Sequence, residues 1–410
     1  MKFAGKTFEI KNKKIKRMKK SLTKYLIWAF APLALASCSE KEMEEMELAS
    51  GEGRLTMKVA PIGAQSATSA NGTKEVMKSL RIVMTDANDQ IRANEYFSYT
   101  NKDAAEFSDQ WTYTGGRGEY NVYLIANEES VADFSADGLD SRWQGNIKDA
   151  IDSFKLGQRG FGTFINTLSF NPEYTISDNT IALPMTASYK VNLDSKEENC
   201  ELYLVNSACK FIINFANYRN EEVTVSEVKF SNAATRSYLM ANIAEQFQTI
   251  KGIYWIEWMG EVASETTQGT NNQIPNEAWG WLTQYNLPSG TEHTEKLLKS
   301  GEVSWVVPAQ ELQEGEEPVA GKLTDLAPFY LPESKNLDEK GVDQNYYLEF
   351  TVTTHDAKPS VISKKLGNLK TMFRNTRVTF NIELYKGKED IYVEFGEWTE
   401  RPAYGTIKPI

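Results

Sequence analysis

The feature that most constrains this chain is a hydrophobic period of two, repeated in short runs along most of its length. Val378-Thr-Phe-Asn-Ile-Glu-Leu-Tyr385 alternates apolar and polar residues without a slip, and Val223-Thr-Val-Ser226 does the same as it runs into Val228 and Phe230. Successive side chains of a strand point to opposite faces, so such runs bury one face and wet the other. Leu80–Met84, Tyr120–Ile125, Leu202–Leu204, Phe211–Phe215, Val303–Val307 and Tyr347–Val352 read the same way, with Asn, Gly and Asp clusters between them. Helical periodicity is scarce. Asn146–Leu156 is the best candidate, with Ile147, Ile151 and Phe154 on one face and Gly157 just beyond its end. Ala233–Gln248 could hold a second short helix. Many short strands with turn signals between them predict an all-β chain with minor α content, built as sandwiches rather than as a parallel sheet.

A length of 410 residues suits two such domains. The polar stretch Leu193-Asp-Ser-Lys-Glu-Glu-Asn199 separates two strand-rich regions. It suggests a first sandwich over 54–192, a second over 193–398 and a tail over 399–410.

The N-terminus has a different character. Lys and Arg crowd residues 2–24, with Glu9 the only acid, and the apolar run Tyr25–Ser37 follows. That run is too short to span a bilayer and fits the core of a signal peptide covering residues 1–37; Met18-Lys-Lys-Ser would begin a signal of ordinary size. Leu35-Ala36-Ser37-Cys38 matches the lipoprotein pattern of an aliphatic residue, two small residues and a cysteine. The peptidase needs small side chains before its cut, and the thiol carries the lipid. Cys38 is therefore the expected acylation site and the expected link to an outer membrane. Residues 38–53, rich in Glu, read as an acidic tether and match the acidic export signal of surface-exposed lipoproteins.

Residues 1–37 hold ten Lys or Arg and one acid; removing these from totals of 45 and 56 leaves 35 and 55, a charge of −20. A field of that sign disfavours nucleic acid and anionic membrane surfaces. Attachment then falls to acyl chains, whose burial stabilises by ~0.8 kcal/mol per methylene.

Catalytic patterns are missing from the sequence. His293 and His355 lie apart in polar surroundings, no His/Cys/acid cluster has metal-ligand spacing, and there is no phosphate-binding loop or nucleophile elbow. Carboxylates are plentiful, as a polyanionic surface requires. The expectation is a non-enzymatic protein with no cofactor and no metal. Trp255, Trp258, Trp279 and Trp281 gather in about 30 residues around a polar stretch. They could stack on sugar rings, form an interface with a glycan or host protein, or pack beneath an inserted loop. Cys200 and Cys209 lie too far apart to bond if the run between them is one extended strand, roughly 30 Å; a hairpin near Asn206-Ser207 would bring them together. Two free thiols are the favoured reading.

Several short motifs carry a family likeness through their order. Leu183-Pro-Met185 precedes Val191-Asn-Leu193; Glu201-Leu-Tyr-Leu-Val205 and Ser207-Ala-Cys-Lys-Phe-Ile212 follow, then Asn217-Tyr218 and Val223-Thr-Val225. Phe373-Arg-Asn-Thr-Arg-Val378 opens the long alternating strand near the C-terminus. In this the chain resembles the fimbrillin superfamily of type V fimbriae, and within it the lipoprotein anchoring-subunit branch. The resemblance implies two tandem transthyretin-like Greek-key sandwiches, export as an acylated precursor, and contact with other fimbrial subunits by strand complementation at the cell surface. In shaft subunits of the family, a protease cuts after an Arg just beyond the first strand; that strand leaves and a neighbour's strand fills the groove.

The chain departs from that pattern. Its first strand is expected over Arg54–Ala60, and the following segment Pro61–Val76 contains no Arg, only Lys74. Arg54 and Lys74 are the candidate cleavage positions. A cut at Arg54, before the strand, would free the tether and leave the strand in place; a cut at Lys74 would suit a shaft subunit. The resemblance thus implies an anchor at the fimbrial base, with a shaft subunit, a tip adhesin or a glycan-binding surface lipoprotein as alternatives. In the tail, Tyr404 and Ile407 could form a docking strand, although two prolines restrict its pairing to edges.

Overall fold

A computed structural model describes residues 51–61, 73–137, 139, 145–171, 174, 180–241, 287–288, 291–298, 304–315, 317–324, 326–335, 346–355, 358–366, 371–372, 374–385 and 388–397. The first half contributes strands β1 (Glu52–Pro61), β2 (Lys74–Asp86), β3 (Ile91–Asp103), β4 (Asp109–Gly116), β5 (Gly118–Ala126), β6 (Phe134–Ser135), β7 (Ser169–Phe170), β8 (Thr180–Ile181), β9 (Met185–Leu193) and β10 (Glu197–Asn206). The second contributes β11 (Ala208–Asn217), β12 (Val223–Ala234), β13 (Ser237–Tyr238), β14 (His293–Leu297), β15 (Trp305–Val307), β16 (Gly321–Leu323), β17 (Phe329–Pro332), β18 (Ser334–Lys335), β19 (Tyr346–Thr354), β20 (Ser360–Leu366), β21 (Thr371–Met372), β22 (Thr376–Tyr385) and β23 (Lys388–Glu397). Two helices, α1 (Ile147–Asp152) and α2 (Phe161–Thr167), lie in the first half.

The first sheet runs in the order β3-β2-β5-β9-β10-β1-β4. It doubles back along β10, whose Val205 and Asn206 pair with β9 while its earlier residues pair with β1. Two layers result, with one core between them: Leu55, Met57 and Val59 of β1 meet Leu80, Ile82 and Met84 of β2, Val122 and Leu124 of β5, and Leu202 and Leu204 of β10. β2 and β5 are covered on their other face as well. Val83, Tyr123 and Ile125 pack under Ile147 and Ile151 of α1 and Phe161, Phe164 and Ile165 of α2. Double coverage explains why β2 is buried almost without interruption, where a one-sided strand would alternate.

The second half stacks β16-β11-β22-β23 on β14-β12-β19-β20, with β17 and β15 pairing alongside β11 and β12. Phe211, Phe215, Val225, Phe230, Phe350, Phe380 and Ile382 fill the space between. Phe211 stacks on Phe380 at 5.8 Å and lies 5.4 Å from Phe230. Most pairings are antiparallel, but β1 with β10 and β11 with β22 are long parallel pairs.

Three expectations need correction. The polar stretch Leu193–Asn199 is the connection between two strands of the first sheet, since β10 beyond it still packs Leu202 and Leu204 into the first core. The chain crosses between stacks at Ser207, so the division falls there and not at 192/193. Ala233 and Ala234 end a strand and Ser237–Tyr238 form another, so no helix begins there; the rest of that expected helix lies outside the described residues. β1 begins at Glu52, two residues before the expected start, so Arg54 lies inside the strand and not at its edge.

Candidate assembly site

β1 carries Arg54, the first of the two candidate cleavage positions, and leads to the second. Its sequence Arg54-Leu-Thr-Met-Lys-Val alternates, and the alternation maps onto burial. Leu55, Met57 and Val59 are fully enclosed, while Arg54, Thr56 and Lys58 face outward. β1 is paired on both sides. From Arg54↔Glu197 to Pro61↔Leu204 it runs parallel to β10, and from Glu52↔Gly116 to Val59↔Asp109 antiparallel to β4. Gly53 permits the close approach at its start: a Cβ there would lie 2.7 Å from the Ser195 carbonyl oxygen and 2.9 Å from Leu193 Cγ. Arg54–Glu197 at 3.5 Å and Lys58–Glu201 at 3.4 Å fix register on the wet face. Exposed pairs of this kind add ~0–1 kcal/mol each; the buried face and the two ladders dominate. Without β1, an apolar slot and two rows of unpaired backbone groups would open between β10 and β4.

Both candidate cleavage positions lie within ladders. Arg54 donates its amide to the Lys196 carbonyl at 2.7 Å, and its side chain is 28% exposed. Lys74 is exposed as the first residue of β2, yet it pairs with Thr180, and Glu75 pairs with Ile181. The Glu75 carbonyl accepts from Ala104 N at 2.9 Å, and its carboxylate accepts from Lys210 Nζ at 2.8 Å. The Tyr330 hydroxyl reaches the same carboxylate oxygen at 3.4 Å; burial and then the neighbouring Glu75 push the Tyr330 pKa upward. A protease needs an extended, unpaired segment, so the bonds after Arg54 and Lys74 are protected while these ladders hold.

The remaining sequence candidates divide into two groups. Cys38, Trp255, Trp258, Trp279, Trp281, Tyr404 and Ile407 lie outside the described residues. Cys200 and Cys209 lie in separate stacks and are not joined to each other, the first packed beside the β1 core and the second buried in the other. His293 is half-buried in β14, and His355 is exposed in the turn after β19. Among the described residues, no group of His, Cys, Asp and Glu could hold a metal ion, and no helix is long and apolar enough to cross a membrane.

Sequence reasoning missed the polar ties between the stacks. Lys210 and Glu75 form one; Arg374, 1% exposed and paired with Glu333 within its own stack, forms another by donating to the Leu239 and Tyr238 carbonyls. The available signal was position. Lys210 sits inside an otherwise apolar strand-forming run, where a long charged side chain needs a partner; Arg374, in a polar run, gave no such signal.

Fold and site together define a β-sandwich protein of two stacked halves whose N-terminal strand is held from both sides. No family model and no curated protein matches the chain. It is similar to the solved tip fimbrial protein Mfa3 from Porphyromonas gingivalis with C-terminal truncation, at 12% identity and a TM-score of 0.43, over 85% of this chain and 100% of that one. It is also similar to a fimbrial assembly protein from Parabacteroides distasonis, at 8% identity and a TM-score of 0.39, over 84% of this chain and 95% of that one.

Proposed function

We propose that the chain is a structural, non-enzymatic subunit of cell-surface fimbriae. In this reading it is the subunit that keeps both its lipid and its first strand and holds the fibre base at the outer membrane. The reading starts from the fimbrillin-like motifs and the lipoprotein pattern ending at Cys38. The observation that carries the anchoring role is the state of β1: it is paired along both edges and buried on one face, and both basic residues near it are tied into strands. A subunit built to release that strand needs a cleavable link after it. Here the segment between β1 and β2 has no Arg, and Lys74 opens a strand.

Mass spectrometry of outer-membrane material and of sheared filaments tests this. The expected N-terminus is a lipid-modified Cys38, recovered with the membrane after shearing. A chain beginning near Glu75 in the filaments would make it a shaft subunit. An intact chain that leaves with the fibre end would make it a tip subunit.

A further inference from the structure

The chain does not finish one stack before starting the other. After β12, in the second stack, it makes an excursion into the first. Ser237 and Tyr238 form β13, which pairs with Phe170 and Ser169 of β7. The Leu239 amide donates to the Leu168 carbonyl at 2.8 Å. Leu239 and Met240, 0% and 2% exposed, enter the core under α1 and α2. β14, the next described strand, is back in the second stack beside β12. Residues 237–240 are thus a piece of the second half built into the first.

The carbonyls of this excursion are gripped by donors from three places. The Leu239 carbonyl accepts from Thr186 Oγ1 of β9 at 2.8 Å, from Ser207 Oγ at the crossing point at 3.3 Å, and from Arg374 of the second stack at 2.8 Å. Arg374 also donates to the Tyr238 carbonyl at 2.7 Å. Glu333 holds the guanidinium from behind, accepting from Nε with both oxygens at 3.0 Å and from the Arg374 amide at 3.3 Å. A guanidinium presents its donors in a fixed planar fork, which lets one side chain bind a carboxylate and a row of carbonyls at once. At this depth, loss of the fork would strand the Glu333 charge and the Tyr238 carbonyl and leave the Leu239 carbonyl held by Thr186 and Ser207 alone.

We infer that Ser237–Met240 is a strap that makes the two stacks a single cooperative unit, with Arg374 as its fastener. The stacks separate only if Leu239 and Met240 leave the first core and Arg374 leaves their carbonyls. In a protein loaded at one end, such a strap sits where force passes from one half to the other.

Calorimetry of the full chain tests this. The wild-type chain is expected to melt in one transition with matching calorimetric and van't Hoff enthalpies, and Arg374→Met to melt in two. Arg81→Met, which breaks a buried ion pair within the first stack, serves as the control: it lowers the melting temperature without splitting the transition. Two transitions in the wild-type chain, or a single one in Arg374→Met at whatever temperature, overturn the inference. If Arg374→Met does not fold, hydrogen exchange on the wild-type chain decides. The Leu239 amide is expected to be protected to within about tenfold of the core amides of β2 and β11, as one unfolding unit requires; exchange more than about 100-fold faster overturns the inference.

Discussion

Cys200 and Arg81 respond in opposite ways to the same cause, removal from water. The Cys200 thiol is pushed up to about 11 by burial and then by the nearby Glu198 charge. Its folded pKa lies above its ordinary value of 9.0, so the native state keeps the proton longer, and that stabilisation is lost as pH rises from 9 toward 11. At pH 8, iodoacetamide should label Cys200 in the native chain about tenfold or more slowly than in urea, since only the thiolate reacts; equal rates would contradict the buried setting. Arg81 remains charged because it is fully paired. It meets Glu128 at 2.7 and 2.8 Å and Asp152 at 2.8 Å. Burial raises the pKa of Glu128, and the hydrogen bond and charge of Arg81 pull it back. Arg81→Met should cost about 3–5 kcal/mol, because it leaves Glu128 buried without its partner. The double variant with Glu128→Leu should recover much of that loss. In the single variant Glu128 lies further above its unfolded pKa, so stability should fall as pH rises past the carboxylate range. A urea midpoint lower at pH 8 than at pH 5 is the expected result.

At the scale of elements, β1 combines a buried face with two ladders, and its contribution can be measured separately from any fibre. Met57→Ala should destabilise by about 2–5 kcal/mol in denaturant unfolding. Trypsin under native conditions should yield no chains beginning at Leu55 or Glu75; early appearance of either would mean that the ladders open readily. The sequence was readable wherever one-sided burial imposed a period of two, as in β1, β12, β19 and β22. It was also readable at α1, where Asn146 Oδ1 accepts from the Asp149 amide at 2.8 Å, as an N-cap should. It was opaque at α2, whose Phe-Gly-Thr-Phe-Ile-Asn-Thr is rich in poor helix formers. Burial holds that helix, and the Asp89 carboxylate caps its start by accepting from Gly160 N at 3.0 Å and Gly162 N at 3.1 Å. Asp89 lies 71 residues before Gly160, a separation no local pattern reveals. The charged run after Leu193 misled because hairpin turns and domain linkers draw on the same polar residues. β1 itself was legible, but the buried Arg374, Glu333 and Lys210 at the junction of the stacks were not. Their burial depends on which strands meet, and charged residues read in isolation are assigned to the surface.

For the whole molecule, the controlling quantity is the distance along the chain between paired strands. β1 pairs with β10 across 143 residues, and β11 with β22 across 167. Parallel pairs of this span must close a long loop before any contact repays the lost entropy. Folding dominated by such pairings belongs in the millisecond-to-second range or slower. The two spans differ in what can precede them. β2, β3 and β5 can pair with their near neighbours early, and β9 can then join β5. β1 has no near partner in sequence: it gains one ladder only once β4 is in place and the other only once β10 is. β1 should therefore dock late, with its contacts unformed in the transition state. Met57→Ala should then speed unfolding while leaving refolding nearly unchanged, a φ-value close to zero; a comparable substitution in β2, Ile82→Ala, should slow refolding. Stopped-flow measurements in both directions separate the cases. A refolding rate that falls with Met57→Ala by most of the equilibrium change would place β1 in the nucleus. A strand that forms its contacts last leaves the earlier-formed part of the sheet as its folding nucleus, so changes in β1 should be read in the unfolding rate.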